Sequence, residues 1–159
     1  MITDFPAKKI YNTGGYTAFQ FVPYYNVLTY PAIAAGEVLA PVTLVAGTSW
    51  LNGYSTPGTL LLTEQPTSDE NGIIYNISIT GIAPGDKSEL FDQMQGMENN
   101  VPFLVLLRDA QKKLRLVGSP AVPLIFSSNF SSGALKSDLK AFTFTFTGQC
   151  LYRAPQYNV

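Results

Sequence analysis

Between Ala141 and Gly148 apolar and polar residues alternate without a break: Phe142, Phe144 and Phe146 interleave with Thr143, Thr145 and Thr147. A strand turns successive side chains to opposite faces, whereas a helix repeats every 3.6 residues, so an extended strand puts the three rings on one side and the three hydroxyls on the other. The chain just before it has the same character. An apolar run, Pro102 to Leu107, meets a charged turn, Arg108 to Lys113, and returns as Leu114 to Gly118. The last third of the sequence is therefore the scaffold of a β-sheet, and no catalytic motif sits on it.

Further strands follow from the same pattern. Tyr16 to Val22 alternates and stops at Pro23, a residue that ends a strand or marks an edge. Glu37 to Ala46 is extended around Pro41, and Thr59 to Thr63 and Pro123 to Ser128 are short strands. Gly72 to Gly81 puts Ile73, Tyr75, Ile77 and Ile79 on one face. Glu64 to Asn71 reads as a polar loop closing in a turn. One helix is expected, about 87–95, with Asp86 as N-cap, Glu89 completing a capping box, and Leu90, Phe91, Met94 and Met97 as its apolar stripe. Gly96 and Asn99-Asn100 should end it. The fold class is mainly β: a β-sandwich or rolled antiparallel sheet of eight or nine strands with one short helix. Residues 1–159 form a single domain, with a possible N-terminal arm at 1–15, hinged at Asn12-Thr-Gly-Gly15, and a loose tail at 154–159.

Composition narrows the chemistry. There is no histidine, which removes the usual general base, the commonest transition-metal ligand and the Ser-His and Cys-His pairs. Cys150 is the only cysteine, so no intrachain disulfide can form, and it reads as a small buried apolar residue. No phosphate-binding glycine loop, nucleophile elbow or Cys-x-x-Cys occurs. Asp86, Glu89 and Asp92 could suggest a metal site, but acids at a helix start are explained by the dipole. No pair of carboxylates is spaced for glycoside hydrolysis. The expectation is a protein that is not an enzyme and holds no cofactor or metal. The start lacks the apolar core of a signal peptide, and the uncharged stretch after it is broken by Pro23, Pro31 and Pro41. Synthesis in the cytoplasm as a soluble protein is expected. Asn76-Ile-Ser78 and Asn129-Phe-Ser131 match the glycosylation pattern, which carries little weight without a secretion signal.

Only 13% of residues are charged, about half the usual share for a soluble domain. A folded chain so poor in charge suits an assembly that hides surface. The charges are also segregated: residues 1–100 hold nine acids and three bases, and residues 101–159 hold two acids and seven bases. The simple reading is one domain in which the halves interleave. The sharper one is a molecule with an acidic and a basic side, suited to head-to-tail stacking. On that reading the assembly residues are the basic hairpin (Arg108, Lys112, Lys113, Arg115) and the acidic loop (Glu64, Asp69, Glu70). Trp50 and Tyr54 are a possible aromatic contact surface, a stacking platform for a sugar ring, though a lone Trp near a loop usually anchors a core. Tyr24, Tyr25 and Tyr30 are either half-buried packing or contact surface.

From about Gly72 onward the order of features resembles a known group. A strand ends in Gly81 and a short helix follows. Next come a strand closing in Arg108-Asp109, then Leu114 to Gly118, Pro123 to Phe126, Phe130 to Gly133, Asp138 and Phe142 to Gly148. This resembles small structural proteins, found among tail or neck genes, of phages and prophages of Bacteroidota-like hosts. It is broadly similar to the tail-tube and tube-completion architecture, a β-sandwich or rolled sheet flanked by one helix that assembles into rings. The resemblance spans about residues 72–153 and carries over no catalytic residue. It implies a virion structural protein of the tail or neck, made in the host cytoplasm. Its partners would be copies of itself and other virion proteins, with no membrane and no sequence-specific nucleic-acid binding, the genome passing through a lumen. The alternatives are a carbohydrate- or surface-binding β-module and a capsid decoration protein.

Overall fold

The computed structural model describes residues 14–99 and 101–159. The chain is mainly β, a sandwich of two sheets with one α-helix. The long strands are β1 (Tyr16–Pro23), β6 (Leu61–Asp69), β7 (Gly72–Pro84), β8 (Phe103–Asp109), β9 (Leu114–Val117), β10 (Ile125–Ser131) and β11 (Ala141–Cys150). The short ones are β2 (Val27–Thr29), β3 (Glu37–Val38), β4 (Thr43–Leu44), β5 (Leu51–Gly53) and β12 (Gln156–Tyr157), and α1 is Ser88–Glu98. One sheet has the order β3-β12-β9-β8-β1-β5 and the other β10-β11-β7-β6; β2 and β4 form a separate pair.

The alternation in the sequence sets the layers. Phe142, Phe144 and Phe146 face inward with Ile77, Ile79 and Phe126 from their own sheet, against Phe19, Phe21, Val105, Leu107 and Val117 from the other. Strand β8 shows no alternation because both its faces are covered. Val105 and Leu107 point into the sandwich, while Leu106 packs outward with Leu116 and Val42 under Val27, Tyr30, Leu44 and Trp50. That second cluster explains the segment between Pro23 and Gly58, in which Glu37 is the one charge: it is the cover of a sheet's outer face. Tyr30 is half-buried there, its hydroxyl donates to the Gly118 carbonyl at 3.2 Å, and burial pushes its pKa above the ordinary value.

Four expectations are corrected. Glu64–Asp69 is strand, because Leu61 through Asp69 pair residue by residue with β7; only Glu70 and Asn71 make the turn. Pairing overrides the low strand propensity of this polar run. The helix begins one residue later than expected, so Asp86 caps nothing and instead pairs with Lys140 at 2.9 Å, lowering its pKa. The helix also runs through Gly96 to Glu98. The tail is not loose: Ala154 and Pro155 are buried and β12 pairs with both β9 and β3. Among the described residues there are twelve strands where about eight or nine are expected, the excess being two- and three-residue pieces. Residues 1–13 of the expected arm lie outside the described residues, and Gly14 and Gly15 are exposed.

Candidate assembly surface

Where three phenylalanines of β11 face in, Thr143, Thr145, Thr147 and Gln149 must face out. Register extends that surface across the sheet. Ile125, Thr147, Ser78 and Thr63 stand in one cross-strand row, and Ser127, Thr145, Thr80 and Leu61 in the next. Asn129, Thr143 and Ile82 make a third row, and Gln149, Asn76 and Gln65 a fourth. No charged side chain stands in any of these rows. The amide row is ordered from within: Gln149 Nε2 donates to Asn76 Oδ1 at 3.0 Å, and Asn76 Nδ2 donates to Thr67 Oγ1 at 2.7 Å. The result is a field of hydroxyls and amides with three aliphatic positions, Ile125, Ile82 and Leu61, and it carries a hollow of about 660 Å³ bordered by Thr63, Asn76, Ser78, Ile125 and Thr147.

The edges of this sheet are managed separately. The Ser128 amide would be an open donor on edge strand β10, but it and the Ser128 hydroxyl both donate to Glu98 Oε1 from α1, at 2.8 and 2.6 Å. On the opposite edge, Pro66 lies within β6 and offers no donor. Beyond the last β11 pair, Cys150 with Tyr75, β6 and β7 run on as a two-stranded ribbon to Asp69 and Gly72. Asp69 Oδ1 accepts from the Asn71 amide at 2.7 Å and so holds the tip, where Glu70 is exposed.

The charged residues singled out in the sequence do not form two opposed poles. Glu64 and Arg115 meet inside one chain. The Glu64 carboxylate, 10% exposed, lies 3.9 Å from Arg115 and 3.8 Å from Arg153, and accepts from the Ala154 amide at 2.6 Å. The Arg115 guanidinium also donates to the Ala154 carbonyl at 3.1 Å, and Arg153 lies 4.8 Å over the Tyr75 ring. Glu64 and Arg115 therefore fasten the segment after β11 to the sandwich. The basic hairpin is split as well. Arg108 and Lys112 border a hollow of about 540 Å³ with Gln20, Asn52 and Leu114, while Lys113 and Arg115 lie beside Tyr16 and Gln156. For Arg108 and Arg115 strand alternation is the cause, since Arg108 pairs with Leu114 and Leu107 with Arg115; the two lysines lie in the turn, where Lys112 takes a φ of 63°. Asp109 shapes the turn by accepting from the Gln111 and Lys113 amides.

The aromatic pair is also separated. Trp50 is half-buried on the cluster of Val42, Leu106 and Leu116, whereas Tyr54 is 64% exposed beside a cavity under the helix. Asp86, Glu89 and Asp92 gather no ligand set: among the described residues no group of three or more His, Cys, Asp or Glu could hold a metal ion. Nor, among them, is any helix long and apolar enough to cross a membrane.

Known families, curated proteins and solved structures give no match to this chain.

The charge-free field is the feature that single-strand reading overlooks. Its signal is present in two separate stretches, Thr143 to Gln149 and Asn76 to Ile82, but becomes a surface only once β7 and β11 are paired. Cys150 at its margin points inward, 5% exposed, and burial followed by the Glu64 charge pushes its thiol pKa up. The native protein is therefore expected to react with a thiol reagent such as dithiobis-nitrobenzoate in far less than one equivalent, rising to one equivalent in denaturant.

Proposed function

We propose that this chain is a structural subunit of a phage virion, a ring-forming component of the tail tube, tail or neck. It works by self-association and by docking to neighbouring virion proteins. The observation that carries this reading is the four charge-free rows on the outer face of β10-β11-β7-β6. Charged groups are depleted at the centre of protein interfaces, because each must be desolvated or paired when water leaves. Hydroxyls and amides both donate and accept, so they find partners on an apposed copy at lower cost. The resemblance from Gly72 onward supports the same reading, as does the low overall charge.

The structure revises which charges could contribute. With Glu64 and Arg115 satisfied within the chain, docking by charge falls to Arg108, Lys112, Lys113, Asp69 and Glu70. The test is the mass in solution by light scattering over a range of concentration and salt. Rings or longer assemblies are expected. Thr145→Lys, which sets a charge in the middle of the face, is expected to lower the association constant at least tenfold. Lys112→Glu with Lys113→Glu, outside the face, is expected to change mainly the salt dependence. A wild-type protein that stays monomeric at all concentrations, and that purified tail and neck fractions do not take up, overturns the proposal.

A further inference from the structure

The helix does not cover the end of the sandwich evenly. Glu98 fastens α1 to β10, and Phe91 packs on Phe130 and Phe142 with ring centroids 4.8 Å apart in both cases. On the other side, toward β1 and β5, a cavity of about 250 Å³ remains. Its floor is made of core rings, among them Phe19, Phe144 and Phe146, and its roof is Met94 and Met97. These two are the only methionines after Met1, and both are buried. Gly53 lets the Phe19 ring lie directly against β5 and so sets that part of the floor: a Cβ there would lie 2.0 Å from the ring. At the mouth stand Asn52, Tyr54 and Gln93, and among the described residues no charged side chain lines the cavity.

We infer that this cavity binds a neutral, largely apolar small molecule carrying one hydrogen-bonding group. The volume exceeds the roughly 150 Å³ that admits benzene in an apolar protein cavity. The aromatic and methionine side chains that border the empty volume gain dispersion contact from such a ligand. Unbranched methionines adapt their rotamers to its shape. The amides of Asn52 and Gln93 and the Tyr54 hydroxyl offer a donor or acceptor at the entrance, where the polar group of the ligand would sit. The absence of any cation or anion in the lining selects against a charged head. This site is separate from the outer sheet face and does not depend on the assembly reading.

The test uses the full chain and the neutral dye N-phenyl-1-naphthylamine, which brightens in apolar surroundings. Saturable enhancement at one dye per chain is expected, displaced by 1-decanol and at least tenfold less well by decanoate. Met94→Trp, which fills the cavity, and Gln93→Lys, which places a charge at its mouth without touching the floor, should each weaken dye binding at least tenfold. Their near-ultraviolet circular dichroism would show that the fold is retained. Absent enhancement, or enhancement unchanged in a folded Gln93→Lys and Met94→Trp pair, overturns the inference.

Discussion

Phe146→Ala is expected to cost about 3–5 kcal/mol of folding free energy, the usual range for removing a fully buried phenylalanine. Phe146 has no exposed surface, and its ring lies 5.0 Å from Phe126, 6.0 Å from Phe103, 6.1 Å from Phe19 and Phe144, and 6.3 Å from Phe21. Its ring on β11 meets rings from β10 in its own sheet and from β8 and β1 in the other, so it joins the two sheets. Rings fixed by several neighbours cannot collapse into the space left behind, which places the loss toward the upper part of the range. A domain holds about 5–15 kcal/mol in total, so much of the reserve goes with one ring. In urea the midpoint is expected to fall by roughly 2 M. Thr145→Ala, one residue away on the opposite face, is expected to stay within about 0.5 kcal/mol of wild type. Equal shifts for the two variants would show that the rings are not the interior of the sandwich.

Glu64→Ala should be the next most damaging change, at about 2–3 kcal/mol, in the range for hydrogen bonds to a charged group that leave partners stranded. The Ala154 amide loses its acceptor and two guanidiniums lose their counter-charge. The damage should be local. Gln156 donates to Gly36, Asn158 to Val38 and Leu116 to Pro155, so amide exchange at 156, 158 and 116 should quicken while β7 and β11 remain protected. Arg153 is half-exposed, so part of the loss should disappear at high salt even in the wild type. Uniform acceleration across both sheets would instead mark Glu64 as part of the global core.

The sequence made the long strands and the inward rings legible because alternation is a local signal. Tyr16 to Val22, Gly72 to Gly81, the hairpin from Pro102 to Gly118 and the Phe-Thr strand all stand close to where they were expected. The places where reading failed share a cause, which is dependence on a distant partner. Glu64 to Asp69 looks like loop until β7 is laid beside it. Asp86 has the right spacing for a cap, yet Lys140, 54 residues on, takes its carboxylate. Residues 154–159 have no strand pattern of their own and gain one only between β9 and β3. The charged set was chosen by sign along the chain, whereas the fold sorted it by face. That is why Glu64 and Arg115 came together and the hairpin lysines came apart.

The strand order of the larger sheet also sets a timetable. Strand β1, from residues 16–23, has β5 from residues 51–53 on one side, but its other neighbour β8 comes from residues 103–109, and β3 pairs with β12 from residues 156–157. During synthesis, at about 5–20 residues per second, Phe19, Phe21 and Val22 are made several seconds before their β8 partners Leu107, Val105 and Leu104. The other sheet is partly local, since β6 and β7 form a hairpin and β10 and β11 follow each other. A nascent chain thus carries an aromatic strand with its β8 edge unpaired through much of its production. Long-range closures of this kind slow folding and expose edges to wrong partners. Yield should therefore improve when translation is slowed or the temperature lowered, because each leaves the waiting strand at a lower concentration of its own kind.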